Sequence, residues 1–464
     1  MLRLALLALL LTPPAASTGA SPPIEFARHT LKNGLEVLVV ENHALPLVTI
    51  EIAAHNGSMT EPPDYNGLSH LYEHMFFKAN AVIPNQEAYL ARTRELGMQW
   101  NGTTNTERVN YFFTTTTDHL ADAMVFMRDA IVSPLFDPKE LERERVVVTG
   151  EIDRNEATPG YHFWHQVTRR VFWKYPSRKD PLGDRKTVLA ATREQMQTIK
   201  QRYYVPNNSL LVVTGDVRAA DIFAQADTLY ASWKRGPDPF RAHRLVKHPS
   251  IPERSVVLVE QPVQTVTGSL NWHGPSTVGD DVEMTYAADV LGLALAEPSS
   301  RFQKALVDSG ACVAASLSWL TQRNLGPITL SFEATPDKVD DCVRAAQSEL
   351  RRIREPDYLS DDEMANAVHR LEVGQALERE RPSAYAHALT FWWCSASLDY
   401  YVHYVENARK VSHRAIAQFV NRYVLARPYV LGIMVSPEMI RERGLDQGHF
   451  EGLLRMRPSK EAAR

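Results

Sequence analysis

Residues 67–80 read GLSHLYEHMFFKAN, and the other assignments along this 464-residue chain are anchored to them. The stretch reads as one short helix carrying His70, Glu73 and His74. Residues four apart on a helix lie one turn above each other on the same face, so the imidazoles of His70 and His74 can converge on a single ion. Glu73 stands three after His70 and one before His74. Its carboxylate therefore lies beside such an ion, where a base acting on an attacking water must be. The order H-x-x-E-H reverses the H-E-x-x-H zinc motif. The competing reading is a pair of structural histidines. Leu68, Leu71, Met75, Phe76 and Phe77 surround the polar triad, and an unpaired imidazole in such surroundings is costly, which favours the metal.

A chain of this length exceeds the size at which a single core stops growing, so two domains are expected. Hydrophobic residues make up 44% and charged residues 23%, as in ordinary soluble proteins, and the net charge of -4 leaves no basic stripe for nucleic acid. The first residues have a different character. Arg3, the apolar run Leu4 to Leu11, Pro13-Pro14 and the small residues Ala15, Ala16 and Ser17 read as a secretory signal peptide over residues 1–20, cleaved near Ser17 to Ala20. No later stretch reaches the roughly 18 apolar residues of a membrane span, so a soluble periplasmic or secreted protein is expected. No cysteine stands near the small-residue site to carry a lipid anchor. Cys312, Cys342 and Cys394 permit one disulfide at most, and three buried thiols are the expectation.

Working outward from the motif, Leu31 to Val40 and Leu47 to Ala53 are β-branched, apolar runs expected to pair as a hairpin. Turn chemistry at Asn56-Gly57-Ser58 and Glu61-Pro62-Pro63-Asp64 leads into the motif, which should hang at a sheet edge. A helix after Pro84-Asn85 runs to about Leu96, where Gly97 stops it. Strands at 98–104 and 109–117 follow, then a helix over 118–132 whose Leu120, Met124 and Met127 form a core stripe.

The helix from Pro138 to about Asn155 carries Glu144 and Glu151, two turns apart on one face. Val146-Val147-Val148 between them predicts that this part packs inside, leaving a carboxylate poorly solvated unless a cation faces it. A catalytic zinc takes three protein ligands and keeps one open position. Glu144, Glu151, Asp153 and Glu156 are all available as the third.

These residues carry a resemblance. The stretches GSMTEPPDYNGLSHLYEHMFFKAN, NGTTNTERVNYF (Asn101 to Phe112), LERERVVVTGEI (Leu141 to Ile152) and YYVPNNSLLVVTGDV (Tyr203 to Val217) resemble the pitrilysin and insulinase family of zinc peptidases. The likeness is to its short two-domain branch, related to the mitochondrial processing peptidases. It implies an α+β fold of two homologous α/β-sandwich domains, mostly antiparallel sheets with helices packed on them, in a clam-shell arrangement. In that family the two histidines are ligands, the intervening glutamate is the base, and the third ligand follows the second His by about 77 positions. Here 151 − 74 = 77, so the resemblance implies one zinc per chain held by His70, His74 and Glu151, with Glu73 as base. Glu144 matches the family's acidic residue supporting the site. The strand matching Asn101, Gly102, Thr103 and Thr104 lies along the family's cleft, which implies that substrate backbone pairs there.

The second half repeats the first weakly. Tyr203 to Val217 resembles Arg422 to Pro437, and strands at 255–261 and 265–272 echo the opening pair, an offset of about 219 (423 − 204). The copy has no metal motif; its corresponding stretch, Glu283 to Asp289, lacks His. The expected division is residues 24–233 for the zinc-binding domain, 234–252 for a proline-rich linker and 253–450 for the homologous domain.

One departure bears on activity. Self-sufficient relatives carry an Arg and a Tyr in the second domain that anchor substrate backbone. The matching stretch here, Ser299 to Ser316, puts Val307 at the Arg position and Cys312 or Val313 at the Tyr position. Some bacterial relatives divide the labour between paralogous subunits, so the resemblance implies the zinc-bearing half of a heterodimer. A homodimer or monomer anchoring through Arg301 or Lys304 is the alternative. The function expected is a periplasmic or secreted zinc endopeptidase acting on peptides or unfolded segments, against a non-catalytic scaffold of the same fold. His162 and His165 are expected to pack rather than bind metal, and Arg143 to Arg145 to lie on a solvated or ion-paired face.

Overall fold

The computed structural model describes residues 24–455; the expected signal peptide lies outside them. The first half is a six-stranded sheet made of β1 (Ala27–Thr30), β2 (Glu36–Glu41), β3 (Leu47–Ala54), β4 (Gln99–Thr104), β5 (Val109–Thr116) and β6 (Ser209–Gly215), in the order β1-β2-β6-β3-β5-β4. The second half has β7 (Ser255–Glu260), β8 (Val266–His273), β9 (Ala314–Trp319), β10 (Pro327–Ala334) and β11 (Val430–Val435), in the order β7-β11-β8-β10-β9. Removing β1 makes the two orders the same. Among the described residues the only parallel pairs are β2 with β6 and β7 with β11. Helices cover both sheets, giving an α+β molecule of two homologous layers. Among the described residues no helix is long and apolar enough to cross a membrane.

Two strand expectations are corrected. Leu31 to Val40 is not one strand, because Gly34 takes a positive φ of 94° and the chain turns there, leaving β1 and β2 as the true hairpin. Nor do β2 and β3 pair. β6 lies between them, and every one of its residues is buried, so it gains most by having a neighbour on each side. The connection from β2 to β3 bridges the end of β6, with Asn42 N–H donating to Gly215 O (2.7 Å) and Asp216 N–H to Leu47 O (2.9 Å).

The halves exchange helices. Helix Pro159–Val171 leaves the first half and lies on the second sheet, where Phe163, Val167 and Val171 meet Val259, Val430 and Met434 in an apolar cluster. Helix Pro382–Ser395 makes the reverse crossing onto β3 and β6. Its contacts include apolar ones, with Leu389 in one cluster with Leu210 and Val212 of β6, and a polar one: the wholly buried Glu51 of β3 accepts from Thr390 Oγ1 (2.6 Å) and Asn110 Nδ2 (2.8 Å) and meets His387 Nδ1.

The cysteine expectation also fails. Cys312 and Cys342 are joined by a disulfide that ties the segment before β9 to helix Val339–Arg352, and only Cys394 is a free, buried thiol. A separation of 30 residues in sequence carried no sign that the fold brings these two sulfurs together.

Candidate metal centre

The motif forms helix Leu68–Phe76. Gly67, with φ of 92°, turns the chain into it, and no Cβ fits there because the backbone of Gly183 lies against it. The buried Glu61 accepts the backbone N–H groups of Gly67 (2.8 Å) and Ser69 (2.6 Å), filling donors that a helix start leaves orphaned. Leu68, Leu71, Tyr72, Met75 and Phe76 face the core, stacking Tyr72 on Tyr204 and Phe76 on Tyr111. That packing presents His70 and His74 on the opposite side, toward helix Pro138–Glu156 and the edge strand β4.

The second helix turns differently from the expectation. Val146 is 66% and Val147 46% exposed, and of the three valines only Val148 is buried. Successive helix residues rotate by about 100°, so a run of three cannot all face inward. Leu141, Glu144, Val148 and Ile152 are the inward stripe. Glu144 is the buried carboxylate of the pair, while Glu151 is partly exposed.

His70, His74 and Glu151 come together, their ligand atoms all within 4.8 Å of one another, the only such group among the described residues. The Nε2 atoms of the two histidines are 3.3 Å apart, and Glu151 Oε2 lies 3.4 Å from that of His70 and 3.7 Å from that of His74. His74 turns Nδ1 to Glu144 Oε2 at 3.0 Å. A proton held there leaves the Nε2 lone pair directed at the cluster. The other oxygen of Glu144 pairs with Lys78 Nζ at 2.7 Å, and both residues are buried. Two imidazole nitrogens and one carboxylate oxygen with an open side are the donor set of a catalytic zinc site, so the residues present fit that ion.

The electrostatics follow from burial. Burial, reinforced by the charge of His74, holds His70 down at about 4, so its imidazole is neutral. Burial also opposes the charge on His74, but the hydrogen bond it donates to Glu144 and the carboxylates around it outweigh that and raise it. Burial would push Glu144 up; His74 and Lys78 reverse this and hold it below the ordinary carboxylate range. Glu73 goes the other way. Burial, with Glu151 adding, raises it against the opposing pull of Thr104 and His74.

Glu73 is held by its neighbour strand. Thr104 Oγ1 donates to Glu73 Oε2 at 2.8 Å, and a Cβ on Gly102 would come within 2.9 Å of both Cγ and Oε1 of Glu73. Of the four residues expected to bind substrate, Gly102 and Thr104 thus face Glu73, whereas Asn101 and Thr103 are exposed. β4 ends the sheet, so its outer backbone edge has no partner strand among the described residues.

The remaining candidates lie elsewhere. His162 bonds to Glu156 O (2.7 Å), and His165 stacks on Tyr161 and faces Asp180 at 3.9 Å, so they share no site. Arg143 pairs with Glu140 on the surface. In the anchor stretch Val307 packs on the core, Val313 is 50% exposed, Arg301 pairs with Asp357 and Lys304 is exposed. Sequence reasoning missed Lys78 and Glu61. The spacing of Lys78, four after His74, was a usable signal; Glu61, in a proline-rich turn, offered none.

Two family profiles match the chain: Insulinase (Peptidase family M16) over residues 36–181 and Peptidase M16 inactive domain over residues 190–371. A protein of Rickettsia felis described as an uncharacterized zinc protease is 24% identical over 356 residues, covering 76% of this chain and 83% of its own. Among solved structures, a protease from Helicobacter pylori superimposes with a TM-score of 0.80 at 19% identity, covering 89% of this chain and 100% of its own. The first half of the periplasmic protease PqqL from Escherichia coli superimposes with a TM-score of 0.78 at 18% identity, covering 96% and 98%.

Proposed function

The chain belongs to the insulinase family of peptidases, M16, and on that premise we propose that it is a zinc-dependent endopeptidase hydrolysing peptides or unfolded polypeptide segments. His70, His74 and Glu151 would hold one zinc ion per chain. When bound, the ion supplies Lewis-acid polarisation of the scissile carbonyl and a lowered pKa for water. Glu73 is the proton carrier. Thr104 holds one of its oxygens and burial favours its protonated form, so it can take a proton from water and pass it to the leaving amine. Glu144, backed by Lys78, fixes the ring of His74. The open edge of β4, residues Asn101 to Thr104, receives the substrate as an added strand.

The observation that carries this reading is the meeting of two Nε2 atoms and one carboxylate oxygen beside a separately tethered glutamate. Metal analysis combined with peptide cleavage tests it. Glu73→Gln should retain zinc and lose about 10³-fold in turnover. Activity retained in that variant overturns the mechanism, and stoichiometric zinc in a His70→Ala, His74→Ala double variant overturns the site. Absence of both zinc and cleavage in the wild type, alone and paired, would leave the non-catalytic scaffold.

The subunit arrangement is part of the proposal. Val307 offers no cation, and Cys312 is committed to a disulfide, which supports completion by a paralogue whose second half supplies Arg and Tyr. Positioning of substrate contributes much of the rate, so the pair should exceed the isolated chain in kcat/KM on the same unstructured peptide. Equal values would favour a monomer or homodimer anchoring through Arg301 or Lys304. Export to the periplasm or beyond rests on the pattern of residues 1–20.

A further inference from the structure

Two charged side chains of the first half close on one loop of the second, residues 320–326 between β9 and β10. Glu107, buried in the turn from β4 to β5, accepts Arg323 N–H on one carboxylate oxygen and Asn324 N–H on the other, each at 2.6 Å. Lys179 comes from the other side. Its ammonium donates to the carbonyls of Asn324 and Leu325, both at 2.8 Å, and to the side-chain oxygen of the buried Gln322. The loop is held in an unusual shape, with Leu325 at φ of 69°, which a residue with a side chain adopts only when its surroundings impose it.

Both charges belong to segments that shape the metal centre. Glu107 stands three residues after Thr104, the residue that tethers Glu73, and the carbonyls of Asn105 and Thr106 in the same turn accept the N–H groups of Ser58 and Met59. Lys179 ends the turn Pro176–Lys179. The hydroxyl of Ser177 in that turn donates to Glu61 O, and the amide of Asn66 donates to the carbonyls of Ser177 and Asp180. Glu61 and Asn66 are the entry to the motif helix. A displacement of either charged residue is therefore transmitted through short hydrogen-bonded spans, to Glu73 on one side and to His70 on the other.

We infer that Lys179 and Glu107 are positioning residues: by gripping loop 320–326 they couple docking of the second half to the geometry of the base and the metal-binding helix. The catalytic consequence rests on the peptidase reading above; the mechanical coupling does not. Glu107→Gln keeps the volume but turns one acceptor into a donor facing an N–H, and Lys179→Met keeps the stem but removes every donor.

Amide hydrogen exchange on the zinc-loaded full chain is the primary measurement. Each variant should speed exchange at least tenfold in 320–326 and also in 66–70 and 101–108. With peptide, kcat per folded, zinc-loaded molecule, counted by bound zinc at a temperature well below unfolding, should fall at least tenfold while KM changes by less than threefold; counting only loaded molecules removes the loss that general destabilisation would produce. Faster exchange confined to 320–326, or none anywhere, overturns the coupling. A kcat within twofold of wild type despite faster exchange in all three segments overturns the positioning role and leaves the peptidase reading intact. A wild type that cleaves nothing, alone or paired, overturns the peptidase reading, and the exchange pattern still decides the coupling. Should either variant fail to fold, Gln322→Ala removes a single acceptor of Lys179, with at least threefold faster exchange expected in the same three segments and exchange confined to the loop again overturning the coupling.

Discussion

The motif helix and its counterpart in the second half, helix Glu283–Leu295, lie against edge strands of the same length and burial pattern, yet they solve opposite problems. Strands β2 and β7 begin 219 residues apart (255 − 36), and that offset carries Glu73 to Gly292 (73 + 219). The edge strands begin 215 apart (314 − 99), which carries Gly102 to Leu317 (102 + 215). In the first half a glutamate needs space and a glycine provides it. In the second a leucine is buried, and a Cβ on Gly292 would sit 3.2 Å from its carbonyl oxygen. Side-chain volume lies on the helix in the first half and on the strand in the second, so the second half keeps the contact and has no carboxylate there. The crossing helices differ in the same way: Val167, on the apolar contact, corresponds to Thr390 (167 + 223), which bonds to Glu51.

The polar contact should be the more fragile. Glu51→Ala leaves His387, Thr390 and Asn110 without their acceptor and should cost about 3–5 kcal/mol of unfolding free energy, against about 2 kcal/mol for Val167→Ala. Urea denaturation of both variants checks this, and equal losses would erase the contrast. The volume exchange predicts the next effect. Gly102→Ala should lower turnover about 100-fold, equivalent to about 2.7 kcal/mol, by displacing Glu73 with little change in melting temperature. Gly292→Ala should cost less than about 1 kcal/mol of stability, since its neighbour needs to move only slightly. A Gly102→Ala protein of normal kcat would show that the glycine is not there to make room for Glu73.

A further effect concerns pH. His55 packs edge-on against Trp393 of helix Pro382–Ser395, and burial, with the charge of Arg323 adding, holds it down at about 3. Between that value and its ordinary 6.5 the unfolded chain binds a proton that the native chain does not, so stability falls as pH falls through this window. From pH 7 to pH 5 the wild type should lose about 2 kcal/mol more than His55→Leu. Burial moves Glu61 up to about 7, which acts in the opposite direction in both proteins and cancels in the difference. Parallel stability curves for the two would remove the argument.

Local rules account for what was readable beforehand. The helical face shared by His70, Glu73 and His74 follows from a 3.6-residue period, and most strands and helices follow from runs of a few residues whose patterns are self-contained. The duplication was visible because β6 and β11 are buried runs of similar composition. The third site residue was not readable this way. A separation of 77 positions has no physical meaning along an extended chain, and only the family resemblance preferred Glu151 to Glu144, Asp153 or Glu156.

Tertiary structure decided whatever depends on direction or on distant partners. It inserted β6 between β2 and β3, because a fully buried strand needs neighbours that no local pattern specifies. It turned Val146 and Val147 outward, since rotation about the axis of helix Pro138–Glu156 is set by the partners it packs against. It joined Cys312 to Cys342, buried Glu51 under a helix from the other half, and brought Lys179 and Glu107 to one loop more than 140 residues away from either. A sequence records which groups can bond; which of them meet is settled only when the two halves pack, because burial is what makes each unpaired group costly.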